Sequence, residues 1–318
     1  MVEKTVHKCL GLSFALAITL CVSPSPSREA GELGNAEDAY RAKHYTEAER
    51  ILLRLAGAGN AKAAWHLGKM YMDGEVVPQN YVKARAWLEK AAVGGHPDAM
   101  YDLGWLLNNG FGGSQDQKRA VSLRERAAAL GNANAQYRMG LNCIRGFHTK
   151  QDFSRAFKYF QSAANSREGN AECLLAHFYE RGIGVSKNPE KSASLLKSAE
   201  MHGCTDGLYE IGRTYLQGLG LPKDYGKAFY WLTKAASNGN AHAMNDLGSM
   251  YSHGYGVKVD DKKALEWEMR AEKNDCPTAT FIMAERYRDG DGVPRDLKRA
   301  KSLFEKAAKL GYEPSTKN

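Results

Sequence analysis

Gly74, Gly110, Gly146, Gly182, Gly218, Gly254 and Gly290 follow one another at an unslipped interval of 36 residues. A unit this short cannot bury an apolar face on its own, so seven copies in phase commit the chain to a stack in which each unit rests on its neighbours. Other residue types keep the same interval. Ala84, Ala120, Ala156, Ala228, Ala264 and Ala300 form one column, with Ser192 in the missing place and Ala48 one period earlier. Asn80, Asp116, Asp152, Asn188, Asp224, Asp260 and Asp296 form another.

Within the unit 61–96, Ala63, Leu67, Met70, Tyr71 and Gly74 fall on one helical stripe. Val82, Ala84, Trp87, Leu88, Ala91 and Ala92 do the same in the second half, so each unit reads as two antiparallel helices. Gly74 is placed to close the first helix, because the residue past a helix end takes a left-handed backbone that glycine adopts cheaply. Asn80, like the Asp or Asn of the other units, is placed to cap the second. Gly68, Gly104, Gly140, Ala176, Gly212, Gly248 and Ala284 put a small residue inside each first helix. Glycine there costs roughly 1 kcal/mol against alanine, and a cost repeated in register predicts close helix approach.

LGKMYMDG (67–74), LGSMYSHG (247–254), GYGV (254–257) and KARAWLEKAA (83–92) resemble the Sel1-like repeat, a relative of the tetratricopeptide repeat. The resemblance covers about residues 61–312 as seven repeats, with 28–60 as a degenerate opening helix pair in which Thr46 stands for the cap, and 313–318 as a tail. Two units depart from the pattern. In the third, Cys143 replaces a Tyr and GFHTKQD (146–152) lacks the second glycine; in the sixth, EKNDC (272–276) replaces the small-residue ending. The fold expected is all-α, a right-handed α/α solenoid of stacked antiparallel helix pairs. Members of that family serve mostly as exported, periplasmic or lumenal scaffolds that bind other proteins, so the resemblance implies a non-enzymatic binding module.

Residues 1–27 differ from the rest. Lys4 and Lys8 precede the apolar run Cys9–Val22, and a Ser/Pro stretch follows, the order of a secretory signal peptide cleaved after about Ser27. The alternative is an uncleaved anchor. The run is short for a transmembrane helix, and Leu20 is too large for the cleavage site of a lipoprotein built on Cys21. A periplasmic or secreted monomer with no stable membrane span after cleavage is expected. The net charge of +8 raises nucleic-acid binding. Its carriers, such as Lys83, Arg119, Arg155, Lys227, Lys263 and Arg299, recur at one helix position and read as a solvated face instead.

Chemistry is sparse. The GxG pairs (Gly182/Gly184, Gly218/Gly220, Gly254/Gly256, Gly290/Gly292) follow helices rather than strands and read as caps. Ser194 and Lys197 share the S-x-x-K spacing of penicillin-binding and β-lactamase-like hydrolases, the alternative function, but no S-D-N or K-T-G accompanies them. The histidines are dispersed, with His177 alone placed beside a groove, and neither a metal site nor a cofactor is expected. Cys173 and Cys204 fall at ends that meet, as a disulfide or as buried free thiols.

Trp65, Tyr101, Tyr137, Tyr209 and Phe281 share one column, interrupted by Cys173 and Asn245. Position 65 lies about 200° around the helix from Leu67, away from the partner helix of its own unit. With Trp105 and Arg213 one turn on from Tyr101 and Tyr209, the column suits capture of a protein or peptide on a concave face. The competing reading is that the rings fill the seam between successive first helices.

Overall fold

The structure, a computed structural model, describes residues 26–312, with side chains from residue 30. The leader reading up to residue 25 and the tail 313–318 lie outside them. The described residues form sixteen α-helices and no strand. α1 (Pro26–Arg41) and α2 (Tyr45–Gly57) precede seven helix pairs: α3 (Ala61–Asp73) with α4 (Tyr81–Val93), α5 (Pro97–Asn109) with α6 (Gln117–Ala129), and α7 (Ala133–Arg145) with α8 (Phe153–Asn165). Then come α9 (Gly169–Arg181) with α10 (Pro189–His202), α11 (Thr205–Gln217) with α12 (Tyr225–Ser237), α13 (Ala241–His253) with α14 (Asp261–Lys273), and α15 (Pro277–Asp289) with α16 (Leu297–Lys309). A cleavage point after Ser27 falls within α1.

The two periodic signals set these lengths. Asn80 accepts a hydrogen bond from the Lys83 N–H at 3.0 Å, and Asp116, Asp152, Asn188, Asp224, Asp260 and Asp296 repeat the cap. The seven periodic glycines sit at the C-cap in the left-handed conformation, with φ between 69° at Gly110 and 76° at Gly290. Thr46 is not the cap of α2: it lies inside the helix, and the periodic cap position falls on His44, which makes no side-chain cap bond. In the third repeat the missing second glycine does not change the loop, because His148 itself takes a positive φ of 56°.

Each helix packs on the next in chain order except α10, where α11 packs on α9 instead, and the core is a seam. Where the small residue inside a first helix is glycine, the partner helix fills the space: a Cβ on Gly140 would lie 2.5 Å from Phe160, and one on Gly68 would lie 2.6 Å from Leu88. α9 is unlike the other first helices, being buried continuously from Ala171 to Tyr179. Its approach to α11 explains this. A Cβ on Gly169 would sit 2.0 Å from the Gly203 carbonyl oxygen, and one on Gly207 2.8 Å from the Asn170 carbonyl oxygen. Gly207 stands where the other six repeats carry Ala (Ala63, Ala99 and onward), and that missing methyl allows the pinch.

Candidate functional site

Arg145 of α7 reaches both carboxylate oxygens of Glu210 on α11 at 2.5 Å, a pair 65 residues apart. A contact that skips the whole fourth repeat requires the first helices to lie on the inside of the curve. They therefore wall the concave face.

The aromatic column divides on this face, and most of it serves the seam. Trp65 donates its indole N–H to Asp102 at 2.8 Å and stacks on His96 at 5.0 Å, both in the next repeat. Tyr209 stacks on His242 and bonds Asp246 of the following repeat, with Arg213 over its ring at 5.7 Å. Phe281 is stacked at 4.3 Å on Tyr312, just past α16. Tyr137 departs from its expected groove position: it is 4% exposed, its ring lies against Phe160, and burial pushes its phenol well above the usual range. Buried in this way, Tyr137 is out of a ligand's reach. His177 departs likewise. It is 2% exposed and packed against Tyr215 and Trp231.

Trp105 is exposed and Tyr101 half-buried beside it. Trp105 is 39% exposed and is braced from behind by Phe111 at 5.1 Å, itself stacked on Tyr81 at 4.7 Å. They face a cavity of about 530 Å³ between the second and third repeats, which Arg124, Arg138, Arg145 and Phe147 also line. Asn108, Asn109, Gln117 and Asn142 add amide groups, and no Asp or Glu lines it. Arg124 donates to the Gly104 carbonyl at 3.3 Å, over the small residue of α5. Burial holds its guanidinium below the ordinary range, and the like charge of Arg138 acts in the same direction. Arg138 interacts with the Tyr101 hydroxyl, one repeat back, repeating the register of Trp65–Asp102 and Tyr209–Asp246.

Sequence reasoning missed Arg124, Arg138, Arg145 and Phe147. The signal for Arg138 was available: Asp102, Arg138, Glu210 and Asp246 form a polar column one residue after the aromatic one, and each meets a residue of the previous repeat or across the curve.

Cys173 and Cys204 are free, as are Cys143 and Cys276. The thiols of the first two are in hydrogen-bond contact, which holds Cys204 below the ordinary thiol range while that contact and burial push Cys173 up. Ser194 and Lys197 lie on the exposed face of α10. No group of three or more His, Cys, Asp or Glu with metal-binding geometry occurs among the described residues. No described helix is long and apolar enough to cross a membrane.

Capped helix pairs stacked in register, with first helices inward, define an α-solenoid repeat protein. The Sel1 repeat model matches residues 61–96, 97–132, 133–167, 169–204, 205–240, 241–267 and 277–312, and the chain belongs to the Sel1 repeat family. Among solved structures it is similar to a Sel1 repeat protein from Oxalobacter formigenes, with 30% identity and a TM-score of 0.52 over 76% of this chain and 99% of that one. It is also similar to c5321, a protective antigen present in uropathogenic Escherichia coli strains and displaying an SLR fold, with 28% identity and a TM-score of 0.50. That match covers 89% of this chain but 62% of the antigen, so the chain spans less than two thirds of its length. No curated protein matches.

Proposed function

We propose that the chain is a non-enzymatic exported scaffold that holds a protein or peptide segment on its concave face, at the cavity between the second and third repeats. One observation carries this reading: exposed Trp105 and half-buried Tyr101 sit over a preformed cavity of about 530 Å³. A braced aromatic loses little entropy on binding and buries much apolar area, which is the property of binding hot spots. Sel1 repeats as a class support a protein partner. The leader-like order of residues 1–27 supports a periplasmic or secreted site of action.

The test is Tyr101→Ala combined with Trp105→Ala, read against a partner identified by crosslinking. Binding is expected to weaken by about 2 kcal/mol or more while the melting temperature holds. Unchanged affinity in the folded double variant moves the binding surface off this face. Amino-terminal sequencing and fractionation of the native protein test export, and an intact Met1 in the cytoplasm defeats it.

A further inference from the structure

Charge at the concave face is distributed unevenly. At the cavity of about 450 Å³ near the N-terminal end, Lys62 pairs with Glu37 at 2.8 Å and Lys69 with Asp73 at 3.2 Å. At the C-terminal end, Arg286 pairs with Glu268 at 2.5 Å and Asp291 at 2.7 Å. The cavity between the second and third repeats differs. Three guanidinium groups line it without a carboxylate in the lining; from outside it Glu210 pairs with Arg145 and Asp206 acts on Arg138 at longer range. Arg124 and Arg138 are close enough for their like charges to oppose each other. An anion placed between them would relieve that repulsion, and guanidinium forks match carboxylates.

Resting on the concave-face reading above, we propose that this cavity binds an acidic peptide segment, its carboxylate side chains held by Arg124 and Arg138 and a neighbouring aromatic or leucine side chain seated against Trp105 and Phe147. The surroundings select a short acidic segment over a polyanion. Asp98 on α5 and exposed Asp206 on α11 stand on the first helices to either side, so the basic surface does not continue. A nucleic-acid backbone would run from the arginines onto carboxylates. A peptide can place its acids over the arginines and neutral residues elsewhere.

The full-length chain is to be tested on arrays of short immobilised peptides carrying paired Asp or Glu beside an aromatic or leucine residue, against matched arrays with Asn or Gln. Retention on the acidic array is expected to exceed the neutral one by about tenfold or more, as loss of a charge-assisted hydrogen bond implies. Arg124→Gln and Arg138→Gln should each remove that excess, with Arg138→Lys intermediate, while Lys301→Gln, on exposed α16, leaves it unchanged. Each variant is first shown to melt as the parent does. Equal retention on both arrays, no retention on the acidic one, an equal loss in Lys301→Gln, or displacement by poly(U) RNA would overturn the assignment. Trp105→Ala separates it from the reading beneath: peptide retention that needs Trp105 but ignores the arginines keeps the concave face and rejects the carboxylate. Retention indifferent to Arg124, Arg138 and Trp105 alike rejects both.

Discussion

Gly112 offers a measurement of what joins one repeat to the next. It lies in the loop between α5 and α6 with φ of +73°, and a Cβ there would lie 2.3 Å from the carbonyl oxygen of Tyr81, at the start of α4 in the previous repeat. The obstacle is backbone, so it cannot swing aside as a side chain would. Gly292 occupies the same loop position five repeats later, in the seventh repeat, with φ of +70° but no backbone nearby, its nearest neighbour being a Leu265 methyl at 3.4 Å. Gly112→Ala and Gly292→Ala therefore share the backbone penalty, and the first alone adds the clash. The left-handed conformation costs alanine about 1–2 kcal/mol, of which about 0.4–1 kcal/mol is offset by the stiffer unfolded chain. His148, at φ of 56° in the third repeat, shows that the fold tolerates this part. Overpacking adds about 1–3 kcal/mol, so Gly112→Ala is expected to cost about 2–4 kcal/mol and Gly292→Ala about 1 kcal/mol or less. An array need not unfold in one step, so hydrogen exchange resolved by helix is the assay. Amides of α4 to α6 should lose about tenfold or more protection in Gly112→Ala, at 1.4 kcal/mol per factor of ten. Equal effects in the two variants would refute the claim that the loop glycine is an inter-repeat joint.

Three further outcomes follow from buried polar groups. Burial raises the Asp246 carboxyl from 3.8 to about 6, so the folded state holds that proton more tightly than the unfolded chain; its contribution favours folding below about pH 4 and is lost as pH rises through 6. Asp246→Asn should flatten the stability profile across that interval, and an unchanged slope in denaturant titrations would count against it. Glu268→Ala leaves Arg286 buried without its principal partner and should cost about 3 kcal/mol, near the low end for broken buried pairs because Asp291 remains; a loss under about 1 kcal/mol contradicts this. Glutathione disulfide should convert Cys173 and Cys204 to an intramolecular disulfide, Cys204 attacking first as the more exposed and more acidic thiol, with two glutathione thiols released; peptide mapping that finds both thiols intact after exposure refutes it.

The sequence by itself determined the repeat, its helix pairs and their ends. These are local matters: an Asn or Asp that caps a first turn and a glycine that takes positive φ act within a few residues, and seven copies make the signal unambiguous. It also placed the aromatic column on the face turned from the partner helix. Only the tertiary structure decided what each ring does there, because that depends on curvature, a sum of small rotations between repeats that no single unit encodes. Gly207 in place of an alanine lets α11 close on α9, the Arg145–Glu210 pair spans the tightened curve, and Tyr137 and His177 are buried. One repeat earlier the curve leaves Trp105 exposed and Tyr101 half-buried beside Arg124 and Arg138. Those arginines belong to different helices, and their charges meet only once the repeats are stacked.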